Sequence, residues 1–223
     1  MKPLAFTKSS RSTRRGCRAL VPPPTRWYQV PTRLRALKPA GPHWTDAELR
    51  TLGESSDVKY ELWDGEIIAM PPAKPKHGFI IMQLAYYLGT FLHEHKLGRL
   101  FDGQTGFRLS IDHCFEPDSS FVSHDRLKLI LPNGDLDGLF HGAPDLAIEV
   151  LSPSDSITKT EKKMQLYLSY GARLGWMLDP KNKTVRVYRH GPEFELLRGE
   201  RLLTGNSVLP GFRVSLGRIF EGI

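Results

Sequence analysis

The longest regular pattern of apolar and polar positions lies in residues 75–96, where apolar residues recur at steps of three and four. This spacing predicts a long amphipathic helix that ends at Gly98. Two more helix starts carry a Ser/Thr-x-x-Glu capping box, at residues 45–48 and 158–161. The second of these helices is expected to run to Gly171, because glycine favours the position after a C-cap.

Strands are predicted where apolar residues alternate with polar ones or form short continuous runs. Residues 60–70 form two half-strands around Asp64-Gly65, which is a strong hairpin signal. Further strands are expected at residues 100–110, 115–122, 144–151, 174–178 and 184–188, with short edge strands from residue 194 and a helical turn near residues 216–220. Residues 124–142 are expected to form a Gly/Asp-rich loop. This order of helices and strands predicts an α/β fold.

Two of the predicted strands carry acids among their apolar residues. Asp118 lies in the strand at residues 115–122, and Asp145 and Glu149 lie in the next one. A charge in an apolar strand needs a partner. The sequence leaves two partners open: a basic side chain such as Arg173, or a metal ion that several acids hold together.

Composition narrows the class of protein. The chain has 223 residues, is 40% hydrophobic and contains no apolar run near the length of about 18 residues that a membrane helix needs. We therefore expect one globular domain and no membrane span. Only two cysteines are present, so neither a disulfide framework nor a Cys-based zinc site is supported, and a reducing compartment such as the cytoplasm fits best. No phosphate-binding or dinucleotide motif indicates an organic cofactor.

The formal charge of +7 is unevenly distributed. Residues 1–42 hold ten Lys or Arg and no acid, which leaves 21 basic and 24 acidic residues, a charge of −3, for residues 43–223. The sequence predicts a disordered or extended tail over residues 1–42 and a folded domain over residues 43–223. The tail has the composition of an organellar transit peptide, of a nucleic-acid-binding arm, or of a reading frame begun too far upstream, and these interpretations stay open.

Six motifs, in order along residues 44–190, resemble the Uma2 (Uma-two) family of restriction endonucleases in the PD-(D/E)xK superfamily. They are Tyr-Glu-Leu-Trp-Asp-Gly-Glu at residues 60–66, His77 in the long helix, Pro117-Asp118, Pro-Asp-Leu-Ala-Ile-Glu-Val-Leu-Ser-Pro-Ser at residues 144–154, Lys163 four residues before Tyr167, and Trp176 with Asp179-Pro180. The resemblance implies a restriction-endonuclease-like core, in which a mixed β-sheet is flanked by helices and a metal site lies at one edge.

The resemblance also implies the site residues. Asp118 and Glu149 correspond to the two metal-binding acids, and Glu61 corresponds to an acid that related nucleases add as a third ligand. The superfamily places a lysine two residues after the second acid, where this chain has Leu151. In this family the lysine is found in the following helix, which points to Lys163. Secondary candidates are Asp145 and His77.

Metal-assisted hydrolysis gives these residues a physical role. Cleaving a phosphodiester requires an activated water and neutralisation of the developing negative charge, and a divalent metal does both. Carboxylate oxygens suit Mg²⁺ or Mn²⁺. The expected function is a metal-dependent endonuclease that acts on DNA, with a homodimer as a further expectation. The alternative is a catalytically silent, nuclease-derived interaction domain that acts through a dimer interface, because a charge of −3 disfavours phosphate binding.

Helical geometry supports Lys163 independently of the resemblance. Met164 and Leu168 form an apolar stripe that is expected to face the sheet, and Lys163 lies at its border. From that border the side chain can extend along the sheet and present its ammonium to the acids. Lys162 lies about 100° away around the helix axis and is expected to point to solvent.

Removal of residues 1–42 is expected to leave the melting temperature almost unchanged, since a segment without apolar periodicity contributes little packing. Thermal unfolding followed by circular dichroism of the full and shortened chains tests this. A large drop in the melting temperature would show that the tail packs on the folded domain.

Overall fold

The computed structural model describes residues 39–54, 58–131, 134, 136–153 and 155–223. The tail predicted over residues 1–42 therefore lies outside the described residues, apart from its last four. In chain order the elements are α1 (Asp46–Glu54), β1 (Lys59–Trp63), β2 (Glu66–Met70), α2 (Pro75–His95), β3 (Gly98–Asp102), β4 (Phe107–Ser110), β5 (His113–Phe115), β6 (Ser119–Ser123), α3 (His124–Ile130), β7 (Phe140–His141), β8 (Leu146–Val150), α4 (Ile157–Ser169), β9 (Leu174–Asp179), β10 (Thr184–Tyr188), β11 (Phe194–Leu197), β12 (Leu202–Gly205), β13 (Leu209–Ser215) and α5 (Leu216–Ile219).

A six-stranded mixed sheet forms the centre of the domain, in the order β11-β10-β9-β8-β6-β3. Strands β8 and β9 are parallel, and the other neighbouring pairs are antiparallel. Helix α2 and the β12–β13 hairpin pack on one face, and α4 packs on the other. This arrangement confirms the α/β class, with a mixed sheet flanked by helices.

Side-chain alternation along β8 separates the two faces of this sheet. Leu146, Ile148 and Val150 join the core cluster that contains the buried side of α2. Ala147 joins the cluster that contains the buried residues of α4. Because alternate residues of a strand face the same side, Glu149 points toward α4. Strand β8 therefore places Glu149 next to α4, the helix that carries Lys163.

A second sheet, in the order β2-β1-β5-β4-β7, packs beside α4 and contributes aromatic residues to the same cluster. Strands β1 and β2 form the predicted hairpin. Asp64 and Gly65 occupy its turn with φ of 48° and 82°, values that suit the left-handed geometry of a tight hairpin turn. The hairpin prediction is thus confirmed, and it places Glu61 in a central part of the molecule.

Two sequence predictions about connections are wrong. The expected loop over residues 124–142 contains a helix, α3, which Ser123 caps by accepting a hydrogen bond from the Arg126 backbone N–H. The expected single strand over residues 115–122 is two strands, since β5 belongs to the second sheet and β6 to the first. Glu116, Pro117 and Asp118 form the crossing between the sheets. A chain that changes sheets shows the same local apolar pattern as one continuous strand.

Helix ends differ from the predictions by one or two residues. The capping box at Thr45 and Glu48 is confirmed by reciprocal hydrogen bonds of 3.2 and 2.8 Å. Helix α4, however, begins two residues earlier than its predicted box, because Ser156 caps it by accepting from the Lys159 N–H. Helix α2 ends at His95, and its C-cap, Lys96, adopts the left-handed conformation itself. None of the described helices is long and apolar enough to cross a membrane.

Gly98 is a position where the fold has no room for a side chain. A Cβ at Gly98 would lie 2.2 Å from the carbonyl oxygen of Val122 on the neighbouring strand. We expect Gly98→Ala to lower the free energy of unfolding by about 1–3 kcal/mol, as overpacking does. Urea denaturation measures the change.

Gly53 in α1 provides the matched control, because a Cβ there would meet no atom within 4 Å. Gly53→Ala is expected to raise the free energy of unfolding by up to about 1 kcal/mol through helix propensity alone. Equal effects from the two substitutions would contradict the close approach of β3 and β6.

Candidate active site

One buried cluster collects side chains from distant parts of the chain. Glu61 comes from β1, Glu149 from β8, Lys163 from α4 and His77 from α2, while Asp118 lies in the crossing between β5 and β6. Four of these residues are the primary sequence candidates, and the fold brings all four together. His77, a secondary candidate, also reaches the cluster.

Lys163 bridges two of the acids. Its Nζ lies 2.6 Å from Oε1 of Glu61 and 2.8 Å from Oε1 of Glu149. Burial would lower the pKa of Lys163, but the charges of Glu149 and Glu61 outweigh it and raise the pKa above its ordinary value, so the ammonium stays protonated. The predicted position of Lys163 is confirmed. Lys162 is exposed and contacts Asp64 Oδ2 at 2.9 Å, as the helical geometry indicated.

Both oxygens of Glu61 are used in holding this arrangement. Oε1 accepts from Lys163 and from the Glu116 backbone N–H at 3.1 Å, and Oε2 accepts from Nε1 of Trp63 at 3.0 Å. Burial would raise the pKa of Glu61, but the nearby charge of Lys163 keeps it below its ordinary value. The carboxylate is therefore ionised and occupied by three donors. It orients Lys163.

Glu149 is the least stabilised acid of the cluster. Its Oε1 accepts from Lys163 and, at 3.2 Å, from the hydroxyl of Tyr167. Burial raises the pKa of Glu149 to about 7, and the charges of Asp118 and Glu61 act in the same direction against that of Lys163. Glu149 thus exchanges a proton near neutral pH unless a further positive charge binds beside it.

Asp118 extends the hydrogen-bonding pattern of the sheet with its side chain. Its Oδ2 accepts from the Val150 backbone N–H at 2.7 Å, at the point where β6 no longer pairs with β8. The same oxygen lies 3.0 Å from Nε2 of His77. Burial would raise the pKa of Asp118, but His77 holds it below its ordinary value. Burial likewise opposes protonation of His77, and the hydrogen bond and charge of Asp118 raise its pKa.

Asp145, the other secondary candidate, lies outside the cluster. It accepts from the Ser123 N–H at 2.7 Å and pairs with Arg173, whose Nε and Nη2 lie 2.9 and 2.8 Å from Oδ1. Asp145 is four residue steps from Glu149 along extended chain, a distance of about 13 Å. The sequence left Arg173 open as a partner for Glu149, but in the structure Arg173 forms its ion pair with Asp145.

Three residues near the cluster were not assigned a role from the sequence. Glu116 lies beside Lys59, whose Nζ is 3.8 Å from its Oε2, and burial raises the pKa of Glu116 to about 7. Trp63 and Tyr167 donate hydrogen bonds to the two bridged acids. Glu116 directly precedes the Pro-Asp motif, and Trp63 and Tyr167 lie within quoted motifs, so these positions were the available signals.

Asp118 and Glu149 are the two acids of the cluster that each keep a carboxylate oxygen able to bind a divalent metal. Among the described residues, no three His, Cys, Asp or Glu side chains converge in a geometry that would hold a metal ion. The role of Glu61 as a third ligand stays a prediction; both of its oxygens accept hydrogen bonds here, from Lys163, Trp63 and the Glu116 backbone N–H. The hydrogen bonds seen for Asp118 and Glu149 in the described part of the chain use Oδ2 and Oε1, which leaves Oδ1 and Oε2 as metal donors.

Charge balance supports the same conclusion. Three carboxylates face the ammonium of Lys163 and the imidazole of His77, whose pKa the hydrogen bond to Asp118 raises against the effect of burial. Even with His77 protonated, the cluster is short of positive charge when Glu149 is ionised. Magnesium is commonly bound by one or two carboxylates, with water and substrate phosphate completing its coordination. Asp118 and Glu149 meet that requirement.

Glu149 gives the metal-free protein a pH-dependent stability. Because its folded pKa of about 7 lies above its ordinary value of 4.5, the folded state binds the proton more tightly and stability falls as pH rises between these values. We expect the free energy of unfolding of the natural chain to fall by about 3 kcal/mol between pH 5 and pH 7.5. Glu149→Gln should abolish this fall. Urea denaturation in EDTA at both pH values measures it.

Glu61→Gln serves as the contrasting variant. Because folding lowers the pKa of Glu61, the ionised side chain stabilises the folded state at pH values above the ordinary pKa of 4.5. This stabilisation is lost only as the pH falls below that value. The free energy of unfolding of the Glu61→Gln variant should be lower by about 3–5 kcal/mol at both pH values, because the substitution breaks a buried ion pair. If Glu149→Gln kept the pH dependence of the natural chain, the raised pKa of Glu149 would be refuted.

Comparison with known proteins places this site in a family. The model of the Uma2 family, described as "Putative restriction endonuclease", matches residues 46–217. A solved structure from Anabaena variabilis ATCC 29413, described as a putative nuclease belonging to DUF820, is similar with 27% sequence identity and a TM-score of 0.63. The alignment covers 74% of this chain and 91% of that one. Comparison with curated proteins gives no match. Since the family match extends over most of the chain and includes every residue of the buried cluster, this protein belongs to the Uma2 family of restriction-endonuclease-like proteins.

Proposed function

We propose that this protein is a divalent-metal-dependent endonuclease of the PD-(D/E)xK type that acts on DNA. The observation that carries the proposal is the buried bridge of Lys163 between Glu61 and Glu149, with Asp118 beside it. It reproduces the acid, acid and lysine set of that superfamily, although the lysine comes from α4. The family description, a restriction endonuclease, supports nucleic acid as the substrate.

Asp118 and Glu149 are the residues that would hold Mg²⁺ or Mn²⁺. When bound, such an ion lowers the pKa of a coordinated water and neutralises charge on the phosphoryl oxygens. The protein keeps these acids in place with main-chain and side-chain donors, the Val150 N–H on Asp118 and the Tyr167 hydroxyl on Glu149. His77 contacts the same oxygen of Asp118, Oδ2, and the two contacts together orient the carboxylate and its free oxygen Oδ1.

Lys163 supplies a fixed positive charge rather than a base. Its raised pKa keeps the ammonium protonated at neutral pH, so it cannot accept a proton from the attacking water. An ammonium held between two carboxylates is positioned to stabilise the negative charge that develops on the phosphoryl group. Glu61 is a positioning residue for this ammonium.

The cost of the buried cluster argues against the alternative of a silent interaction domain. Taking three acids and a lysine out of water is unfavourable by several kcal/mol per ion before their attraction repays it. Apolar side chains of similar size would hold β1, β8 and α4 together at least as well. Catalysis therefore explains the cluster better than a structural role does.

The cysteine content supports assigning the activity to a reducing compartment, the cytoplasm.

The proposal predicts metal-dependent cleavage of DNA by the purified full chain. Activity should appear with Mg²⁺ or Mn²⁺ and disappear with EDTA, and Asp118→Ala and Glu149→Ala should each abolish it with the circular dichroism spectrum kept. Supercoiled plasmid cleavage on agarose gels measures the activity, with RNA as a parallel substrate. Full activity in either variant would remove that residue from the set of metal ligands.

Lys163→Met tests the lysine assignment with Lys162→Met as its matched control. Losing a group that stabilises charge in the reaction should reduce the cleavage rate by about 10²–10⁴-fold, with the affinity for Mn²⁺ largely kept. Lys162 is exposed on the same helix, and its substitution should change the rate little. Equal effects from the two variants would exclude a special role for Lys163.

A further inference from the structure

Helix α2 is apolar on both of its sides. Its inner side buries Ile80, Leu84, Leu88 and Leu92 in the core. Its outer side exposes three large apolar residues: Phe79 is 42% exposed, Met82 69% and Tyr86 66%.

No Asp, Glu, Lys or Arg occurs from residue 77 to residue 93. A helix on the surface of a globular protein normally carries charged or polar residues on its outer side. The outer side of α2 therefore has the chemistry of an interface.

A groove runs beside the C-terminal half of this outer side. It has a volume of about 270 Å³ and lies between Tyr86, Tyr87 and Phe91 of α2 and residues Gly211 to Arg213 of β13. Gly89 lies on the same half of the helix, and a Cβ added there would meet no atom within 4 Å. This half of the outer side is thus recessed, whereas the N-terminal half projects Phe79 and Met82.

We propose that a second copy of this chain covers this surface, with α2 packed antiparallel against α2 of the partner about a two-fold axis. The exposed positions 79, 82, 86 and 90 are nearly symmetric about the level of residue 84 along the helix. An antiparallel pair centred there places Met82 against the partner's Tyr86 and Phe79 over the recessed region at the partner's Gly89. A two-fold interface requires such self-complementarity.

Charges at the two ends of α2 specify the same orientation. Lys74 and Lys76 stand at its N-terminal end, and Glu94 stands in its last turn. In the part of the chain that the structure describes, none of the three appears among the ion pairs. The antiparallel arrangement brings both lysines opposite the partner's Glu94 twice, at an end whose formal charge is zero because Lys96 follows at the C-cap. A parallel arrangement would instead place like charges together.

The available area is consistent with a dimer of ordinary size. At 150–250 Å² for a large side chain, the exposed parts of Phe79, Met82 and Tyr86 amount to roughly 270–440 Å², about a third to a half of the roughly 800 Å² per partner in a standard interface. The groove walls, together with Gln83 and Thr90 on one flank of the apolar stripe, supply surface for the remainder. The surface is therefore large enough only when helix and groove are covered together, which the antiparallel pair achieves.

Sedimentation equilibrium of the full chain tests the proposal without any measurement of activity. The natural chain should be a dimer, and Met82→Arg should raise the dissociation constant at least 100-fold by placing a charge in the centre of the interface. Leu129→Arg is the matched control, because Leu129 is equally exposed on α3 but lies off this surface. Its substitution should leave the dimer intact. Circular dichroism confirms that each variant is folded.

A charge reversal tests the orientation of the helices. Glu94→Lys alone and Lys74→Glu with Lys76→Glu should each weaken the dimer about tenfold, and combining all three should restore it. These residues are exposed, so the monomer should tolerate the changes. A natural chain that is a monomer at every concentration, a dimer that survives Met82→Arg, or a failure of the combined variant to restore binding would each overturn the proposal.

Discussion

The buried ammonium of Lys163 is the interaction on which the structure of the site depends. Taking it out of water is unfavourable by several kcal/mol, and only two carboxylates at hydrogen-bonding distance make it tolerable. Those carboxylates belong to β1 of one sheet and β8 of the other, while the lysine belongs to α4. The ion bridge therefore fixes the relative positions of three elements, and the main-chain and indole donors on Glu61 keep it in one geometry.

The same cluster explains why the site is prepared for a cation. Even with Lys163 and His77 both charged, three acids exceed the two cations, and burial together with the charges of Asp118 and Glu61 raises the pKa of Glu149. Asp118 stays ionised because a histidine and a main-chain N–H both bind one of its oxygens. A divalent ion would relieve the excess charge at the two acids that keep an oxygen available, which connects the electrostatics of the fold with the chemistry of phosphodiester cleavage.

Helix α2 connects this site with the rest of the molecule. Its first turn carries His77, its inner side forms the core beneath the central sheet, and its outer side is apolar and exposed. A change in packing on the outer side would therefore act on the element that orients Asp118. The site and the proposed dimer surface share one rigid helix, although they lie on different sides of it.

The sequence by itself determined the elements with strong local signals: the Asp64-Gly65 hairpin, the long helix, the acid-bearing strand β8 and the side of α4 that Lys163 occupies. These follow from turn chemistry and side-chain periodicity, which act over a few residues. Only the tertiary structure decided the crossing between sheets at Asp118, the pairing of Arg173 with Asp145 and the ion pair of Glu61 with Lys163. Those outcomes depend on which atoms the fold brings within about 3 Å, and no local pattern records distances between residues that are about 30 to 100 positions apart.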